Sequence, residues 1–534
     1  MENNKRSYLL PVLFAFAMAI GLLLGNRLTP PKEQNGYSLE SMKYEKLNDV
    51  LQILDKKYVD DVDGNDLFEQ TIADMLHRLD PHSNYISAKD LKRVNEDIQG
   101  KFGGVGIRFF IIRDTVCVTH VLPNSPSLRA GVKSGDKILK VDNTRIAGKN
   151  ITNEKVMALL KGQEGKEVSL SIFRAGEIKK KTVIRGSIPV ESVIASFIVR
   201  GSIGYIKIDR FSMETAREFR AAAYNLKSKG MKQLILDLRN NGGGVLSCAT
   251  EIADEFFQAD IPLLKTKGEN VGERTYSSSA YGNLKDVKLA VLINSNSASA
   301  SEILAGAIQD NDRGIVIGRR SFGKGLVQED VRLRDGSNLR LTIARYYTPS
   351  GRCIQKPYNG DIEDYYSDQM MRFDNGEMYE VDSSYFVDSL KFTTPKGKVV
   401  YGGGGIMPDI FVPADSSGSS WYLTSLRITP AFTTFAFDFV QNRRQKWGSI
   451  EEYRRSFVVT DAVLDRFVKF ANSEYGVEPQ NEEIQHSKNR IKETLKGEIA
   501  RQIWVEQGYY KVVNPEDIEV QKAVQYFSSS RREL

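Results

Sequence analysis

Ser299 and Lys324 are residue types that acyl-transfer chemistry could use. Ser299 follows an apolar run, Leu289–Ile293, and a serine- and alanine-rich turn. It precedes a helical pattern with Ile303, Leu304, Ala307 and Ile308 on one face. One reading of Ser299-Ala300-Ser301-Glu302 is a capping box, in which the serine caps a helix and the glutamate reaches back. The other is a nucleophile, because free N–H groups and a positive field at a helix N-terminus suit an oxyanion. A serine nucleophile needs a base. The four histidines are His77, His82, His120 and His486, with none between residues 121 and 485, so a local Ser-His-Asp arrangement is not expected. Lys324, between Gly323 and Gly325, is a solvated loop residue unless burial makes its neutral amine accessible. Phe322 and Leu326 could wall such a pocket.

The run Ser297-Ala298-Ser299-Ala300-Ser301-Glu302, followed by Phe322-Gly323-Lys324-Gly325 and Gln328, resembles the active-site signature of the C-terminal processing peptidases, or tail-specific proteases. The resemblance implies a serine–lysine dyad, with Ser299 as nucleophile, Lys324 as general base and Gln328 orienting the lysine. It implies no metal or cofactor. Asp310 and Asp312 follow the serine's helix. A carboxylate near Lys324 would raise its pKa and work against a base, so Asp310 is assigned a structural or orienting role.

Those residues need an α/β scaffold to converge, and its pattern begins at Ser202. Strands are expected over Ile203–Ile208, Gln233–Leu238, Leu289–Ile293 and Ile315–Ile317, with helices after the first three. The strand ending at Leu238 runs into Arg239-Asn240-Asn241-Gly242-Gly243-Gly244. Three glycines at a helix entry can cradle a phosphate, but the chain lacks the Gly-Lys-Ser/Thr ending of a P-loop. The resemblance implies instead that the N–H of Gly243 or Gly244 joins that of Ala300 in an oxyanion hole. Gly242 stands where the family often has proline. Asp335-Gly336 reads as a hairpin turn, and residues 358 to 395, rich in acidic and aromatic residues, read as an inserted loop region.

Residues 99–186 resemble a PDZ domain, through Phe102-Gly103-Gly104-Val105-Gly106-Ile107 and the later Ser125–Leu139 run. The resemblance implies that residues Phe102 to Ile107 take a peptide's terminal carboxylate and a neighbouring strand pairs with its backbone. Asn153–Lys161 would be the groove helix. Apolar C-terminal tails are the expected substrates.

At 534 residues the chain is long enough for several domains. A formal charge of +6, with positives mixed among acids, carries no nucleic-acid footprint. Cys117, Cys248 and Cys353 match no metal spacing. Lys5 and Arg6 precede the uncharged stretch Tyr8–Gly25, read as an uncleaved inner-membrane anchor or signal segment with the rest periplasmic. The expected order is that segment (1–30), a helical region (37–98), the PDZ domain (99–186), a crotonase/ClpP-like protease core (187–418) and a mainly helical C-terminal region (419–534). The fold class is thus multidomain α/β. Asp80-Pro81-His82-Ser83-Asn84-Tyr85 resembles the family's junction after the N-terminal helices, which suggest a homodimer or higher oligomer. An adaptor protein is a further expected partner. Two rivals stand beside the peptidase: a membrane-tethered PDZ adaptor with an inactive core, and an acyl-thioester enzyme on the same kind of sheet.

Overall fold

A computed structural model describes residues 14–15, 17–18, 39–381 and 387–529. Most of the Tyr8–Gly25 stretch lies outside them. Among the described residues, no helix is long and apolar enough to cross a membrane. The chain divides into two compact units, residues 1–76 and 77–534. In the first, helices span Leu39–Lys57 and, reaching its boundary, Gly64–His77.

The second unit is built on a six-stranded sheet. Its order is Val193–Arg200, Ile203–Ile208, Gln233–Asp237, Lys288–Ile293, Ile315–Gly318 and Ile410–Phe411. The first pair is antiparallel and the rest are parallel. The central strands are apolar on both faces because both are covered. Leu234, Leu236, Val291 and Ile293 pack with the helices Thr215–Ser228, Leu246–Asp254 and Ala300–Asp310. Ile235, Ala290 and Leu292 face the other way, onto Val520, Ala523 and Phe527. The last helix, Ile518–Ser529, comes from the stretch the sequence assigns to the C-terminal region, yet it is the second layer of this sheet.

A second sheet carries the other half of the site. Leu326–Arg332 and Asn338–Tyr347 form the expected hairpin, and Asn84–Ile86 pairs antiparallel with the start of its second strand. Within the expected insertion, the described residues 358–381 include a helix. Asp361 caps a helix, Ile362–Asp374, through the N–H groups of Glu363 and Asp364.

The body over residues 101–189 is a sheet with Ile107–Ile112 at one edge and Glu177–Ile184 at the other. Its core is Val116, Val118, Ile138, Val156, Leu170 and neighbours. The helix runs Asn153–Leu160, as expected to within one residue. The ribbon Lys101–Gly104 with Gly186–Pro189 closes it at the base. A separate helical cluster, from Trp421 to Val513, buries Phe432, Phe435, Tyr453, Phe467 and Ile491.

Candidate active site

The strand Lys288–Ile293 ends buried in the sheet, and the helix Ala300–Asp310 starts seven residues later. Ser299 makes the turn into that helix at φ 55° and ψ −114°. A non-glycine residue is rarely held there, at a cost of about 1–3 kcal/mol, and such strain is typical of a strand-to-helix nucleophile turn. The neighbouring serines are committed elsewhere. Ser297 Oγ donates to the Leu238 carbonyl at 2.8 Å and Ser301 Oγ to that of Asn241 at 2.9 Å.

Glu302 takes the reaching-back position of the capping box and does more with it. It is fully buried. One oxygen accepts the N–H of Ser299 at 2.8 Å and of Lys324 at 2.9 Å; the other accepts the Gly323 N–H at 2.7 Å and Ser321 Oγ at 2.6 Å. Burial pushes its pKa up, and these four donors oppose that. Tyr346 adds a second bridge. Its hydroxyl contacts the Ser299 carbonyl at 3.2 Å and also donates to the Lys324 carbonyl.

Ser299, Lys324 and Gln328 line one cavity of about 430 Å³, with Gly242, Gly243, Gly244, Val245, Leu246, Leu326 and Tyr346. Lys324 Nζ donates to Gln328 Oε1 at 3.0 Å, and Gln328 Nε2 donates to the His82 carbonyl. Burial, and next the nearby Arg340 guanidinium, bring the Lys324 amine down to about 8 against the pull of Glu302 and Asp80. Leu326 is one apolar wall, as expected; Phe322 stacks instead in a cluster with His82, Tyr365 and Tyr366. Asp310 lies apart, in a fully buried ion pair with Arg352 at 2.7 Å.

The glycine loop lies against the serine turn. A Cβ on Gly243 would fall 2.7 Å from Ser299 Cβ and 2.9 Å from the Ala300 nitrogen. The Gly243 N–H donates to Asn241 Oδ1 at 2.9 Å. Its carbonyl accepts from Phe211 at 3.0 Å, so the Gly244 N–H of the same planar peptide points away from Phe211.

The six residues Phe102 to Ile107 sit in the β-body and do not line this cavity. Phe102, Gly103 and Gly104 pair with Ile188, Ser187 and Gly186. The Val105 and Gly106 carbonyls accept from Ser127 at 2.9 Å and Leu122 at 3.1 Å. Ile107 opens the edge strand.

Three participants were not assigned to the site from sequence. Glu302 had a signal, the capping box, which disclosed only one of its four donors. Tyr346 stands near the end of the strand Asn338–Tyr347. His82 lies in the junction motif, where Asp80 Oδ1 accepts the His82 and Ser83 N–H groups at 2.8 Å. Its Nε2 bonds the Tyr365 hydroxyl at 3.0 Å, and burial holds its pKa down at about 3.

A two-faced α/β sheet with a strained serine at a strand-to-helix turn, beside a partly buried lysine and joined to a PDZ-like body, defines a peptidase-type architecture. Comparison with known proteins gives the family. Residues 202–364 match peptidase family S41, 103–184 a PDZ domain, 25–90 the activating protease CtpB N-terminal domain, and 422–505 a family of unknown function. A carboxy-terminal-processing protease of Bartonella bacilliformis is 36% identical over 64% of this chain and 78% of its own. A probable CtpA-like serine protease of Staphylococcus haemolyticus is 33% identical over 59% of this chain and 63% of its own. A solved photosystem II D1 C-terminal processing protease shares 25% identity over 69% of this chain and 93% of its own, with a TM-score of 0.35. The chain belongs to the carboxy-terminal-processing proteases of peptidase family S41, and is a serine peptidase with a PDZ domain.

Proposed function

We propose that this peptidase cleaves extracytoplasmic proteins after binding their C-terminal tails, and that Ser299 and Lys324 are its dyad. The observation that carries the reading is the Lys324 amine. It shares a cavity with Ser299, is held by Gln328, and has its pKa brought to about 8 by burial. A neutral amine is therefore accessible near neutral pH.

The tail enters as an added strand on Ile107–Ile112, with its carboxylate at the Val105–Gly106 turn between that strand and Gly104. Neutral Lys324 takes the hydroxyl proton as Ser299 Oγ attacks the peptide carbonyl. The N–H groups of Ala300 and Gly244 hold the oxyanion, and Gly243 leaves room for it beside Ser299. The lysinium then protonates the leaving amine, and water hydrolyses the acyl-enzyme. Lys5, Arg6 and the uncharged Tyr8–Gly25 segment would tether the enzyme to the inner membrane, facing the periplasm.

The test incubates the chain, Ser299→Ala and Lys324→Ala with an unstructured protein ending in apolar residues and follows cleavage by mass. Cleavage by the parent alone is expected, rising with pH through about 8. Cleavage surviving Lys324→Ala, or a flat profile from about pH 6 to 9, would assign the base elsewhere.

A further inference from the structure

The loop that carries Gly243 and Gly244 is attached at its root to the C-terminal end of the chain. Arg239, two residues past the end of the strand Gln233–Asp237, is where this happens. Its side chain turns to the sheet face covered by the helix Ile518–Ser529. Arg239 Nη2 meets Asp237 at 2.6 Å, and Nη1 meets Asp517 at 2.9 Å and also pairs with Glu519. Glu519 has a second cation, Arg319, at 2.9 Å. Lys207 Nζ donates to the Arg239 carbonyl and lies 3.5 Å from Asp237. Three carboxylates thus face three cations, and Arg239 is anchored through both its side chain and its backbone.

The chain then crosses to the nucleophile's side of the sheet. The Asn240 N–H donates to Asn294 Oδ1 at 2.9 Å. The Asn241 carbonyl accepts the Ala298 N–H at 3.0 Å and Ser301 Oγ at 2.9 Å, on either side of Ser299. Asn241 Oδ1 holds the Gly243 N–H. A single residue, Asn240, therefore separates the charged anchor from the Asn241 contacts that set the glycine loop against Ser299. A guanidinium held by opposed carboxylates has little freedom, because leaving any one of them buried and unpaired is costly.

We infer that Asp517 and Glu519 are positioning residues for the reaction: through Arg239 they fix the register of the Asn240–Gly244 loop against Ser299, so that the helix Ile518–Ser529 completes the oxyanion site from the far face of the sheet. This rests on the oxyanion reading above. It gives a segment beyond the match to the S41 family a part in transition-state binding rather than in substrate capture.

The test uses the full chain. Arg239→Ala would take from buried Asp237 its closest cation, leaving Lys207 at 3.5 Å, and risks unfolding, so the variant is the near-isosteric pair Asp517→Asn with Glu519→Gln. Three quantities are read: kcat and KM on a peptide with an apolar C-terminal tail, the affinity of a peptide boronate whose serine adduct places an oxygen in the oxyanion position, and the affinity of the uncleaved tail. The expected result is kcat and boronate affinity both lower by about tenfold or more, with KM and tail affinity within about twofold, since only transition-state contacts are disturbed. Should the pair not fold, Asp517→Asn alone, whose side chain is 22% exposed, is held to the same split. Unchanged kcat and boronate affinity in the folded variant, or a parallel change in KM and tail binding, overturns the inference. Boronate affinity unchanged in Gly243→Ala, whose methyl would crowd Ser299 and the Ala300 nitrogen, would instead overturn the oxyanion reading itself, so the two failures are distinguishable.

Discussion

Ser299 and Lys324 are tied to one carboxylate oxygen: Glu302 Oε2 accepts the backbone N–H of each, at 2.8 Å and 2.9 Å. The serine comes from a strand-to-helix turn and the lysine from a loop beyond the next strand, so no local geometry relates them. A shared acceptor does, and the Tyr346 hydroxyl repeats the device through their carbonyls.

That second bridge can be removed alone. Tyr346→Phe leaves the buried ring in place but strips the donor from two carbonyls. The expected cost is about 1–3 kcal/mol of stability, the usual penalty for unsatisfied buried polar groups. With the two loops less firmly held, kcat should fall about tenfold with little change in KM. Thermal melts with steady-state kinetics check both, and a variant indistinguishable from the parent would leave Glu302 as the sole tie.

Lys324 predicts a stability gain coupled to a loss of function. Its folded pKa, about 8, lies below that of an exposed lysine. The unfolded chain therefore binds more protons between about pH 8 and 10.5, and stability rises with pH across that window. Below it the folded state carries the full burial cost. Lys324→Met should abolish cleavage and stabilise the chain by about 2 to 3 kcal/mol at pH 7, before any loss from the Gln328 hydrogen bond. The gain should vanish above about pH 10.5. Chemical denaturation at several pH values reads this directly.

At Gly243 an added methyl would meet Ser299 Cβ and the Ala298 oxygen at 2.7 Å, on a backbone with φ +95°. Gly243→Ala should lower kcat by about 10²-fold or more, comparable to losing an oxyanion donor. Tail binding to the PDZ domain should be unchanged, measured by titration with a labelled peptide.

His82 makes the fold acid-sensitive. Burial, then the Lys324 charge, lower its pKa from 6.5 to about 3. It is neutral in the folded state at neutral pH, and stability is lost as pH falls from about 6.5 towards 3, because the unfolded chain binds the proton first. Relative to the parent, His82→Gln should gain about 2 to 3 kcal/mol between pH 7 and pH 4.5. A constant difference across that range would mean that the ring titrates normally.

Short apolar runs, and the glycine and serine turns between them, placed the strands Ile203–Ile208, Gln233–Asp237 and Lys288–Ile293 to within a residue or two. These are short-range properties, since strand and helix periods are set by neighbouring residues. Fully apolar strands such as Leu289–Ile293 also announced that both sheet faces would be covered, though not by what. The helix Ile362–Asp374 was hidden because its residues are acidic and aromatic, with only Tyr365 and Arg372 buried.

By itself, then, the sequence determined the element order, the family and the candidate nucleophile and base, because each rests on residue types at fixed local spacing. Tertiary structure alone decided that Glu302 and Tyr346 bind the two loops together, that His82 supports Gln328 from a distant junction, and that Arg239 reaches Asp517 and Glu519 nearly 280 positions away. Buried hydrogen bonds and ion pairs form between groups that only the packed sheet brings within 3 Å of each other, and their partners leave no periodic trace in the chain.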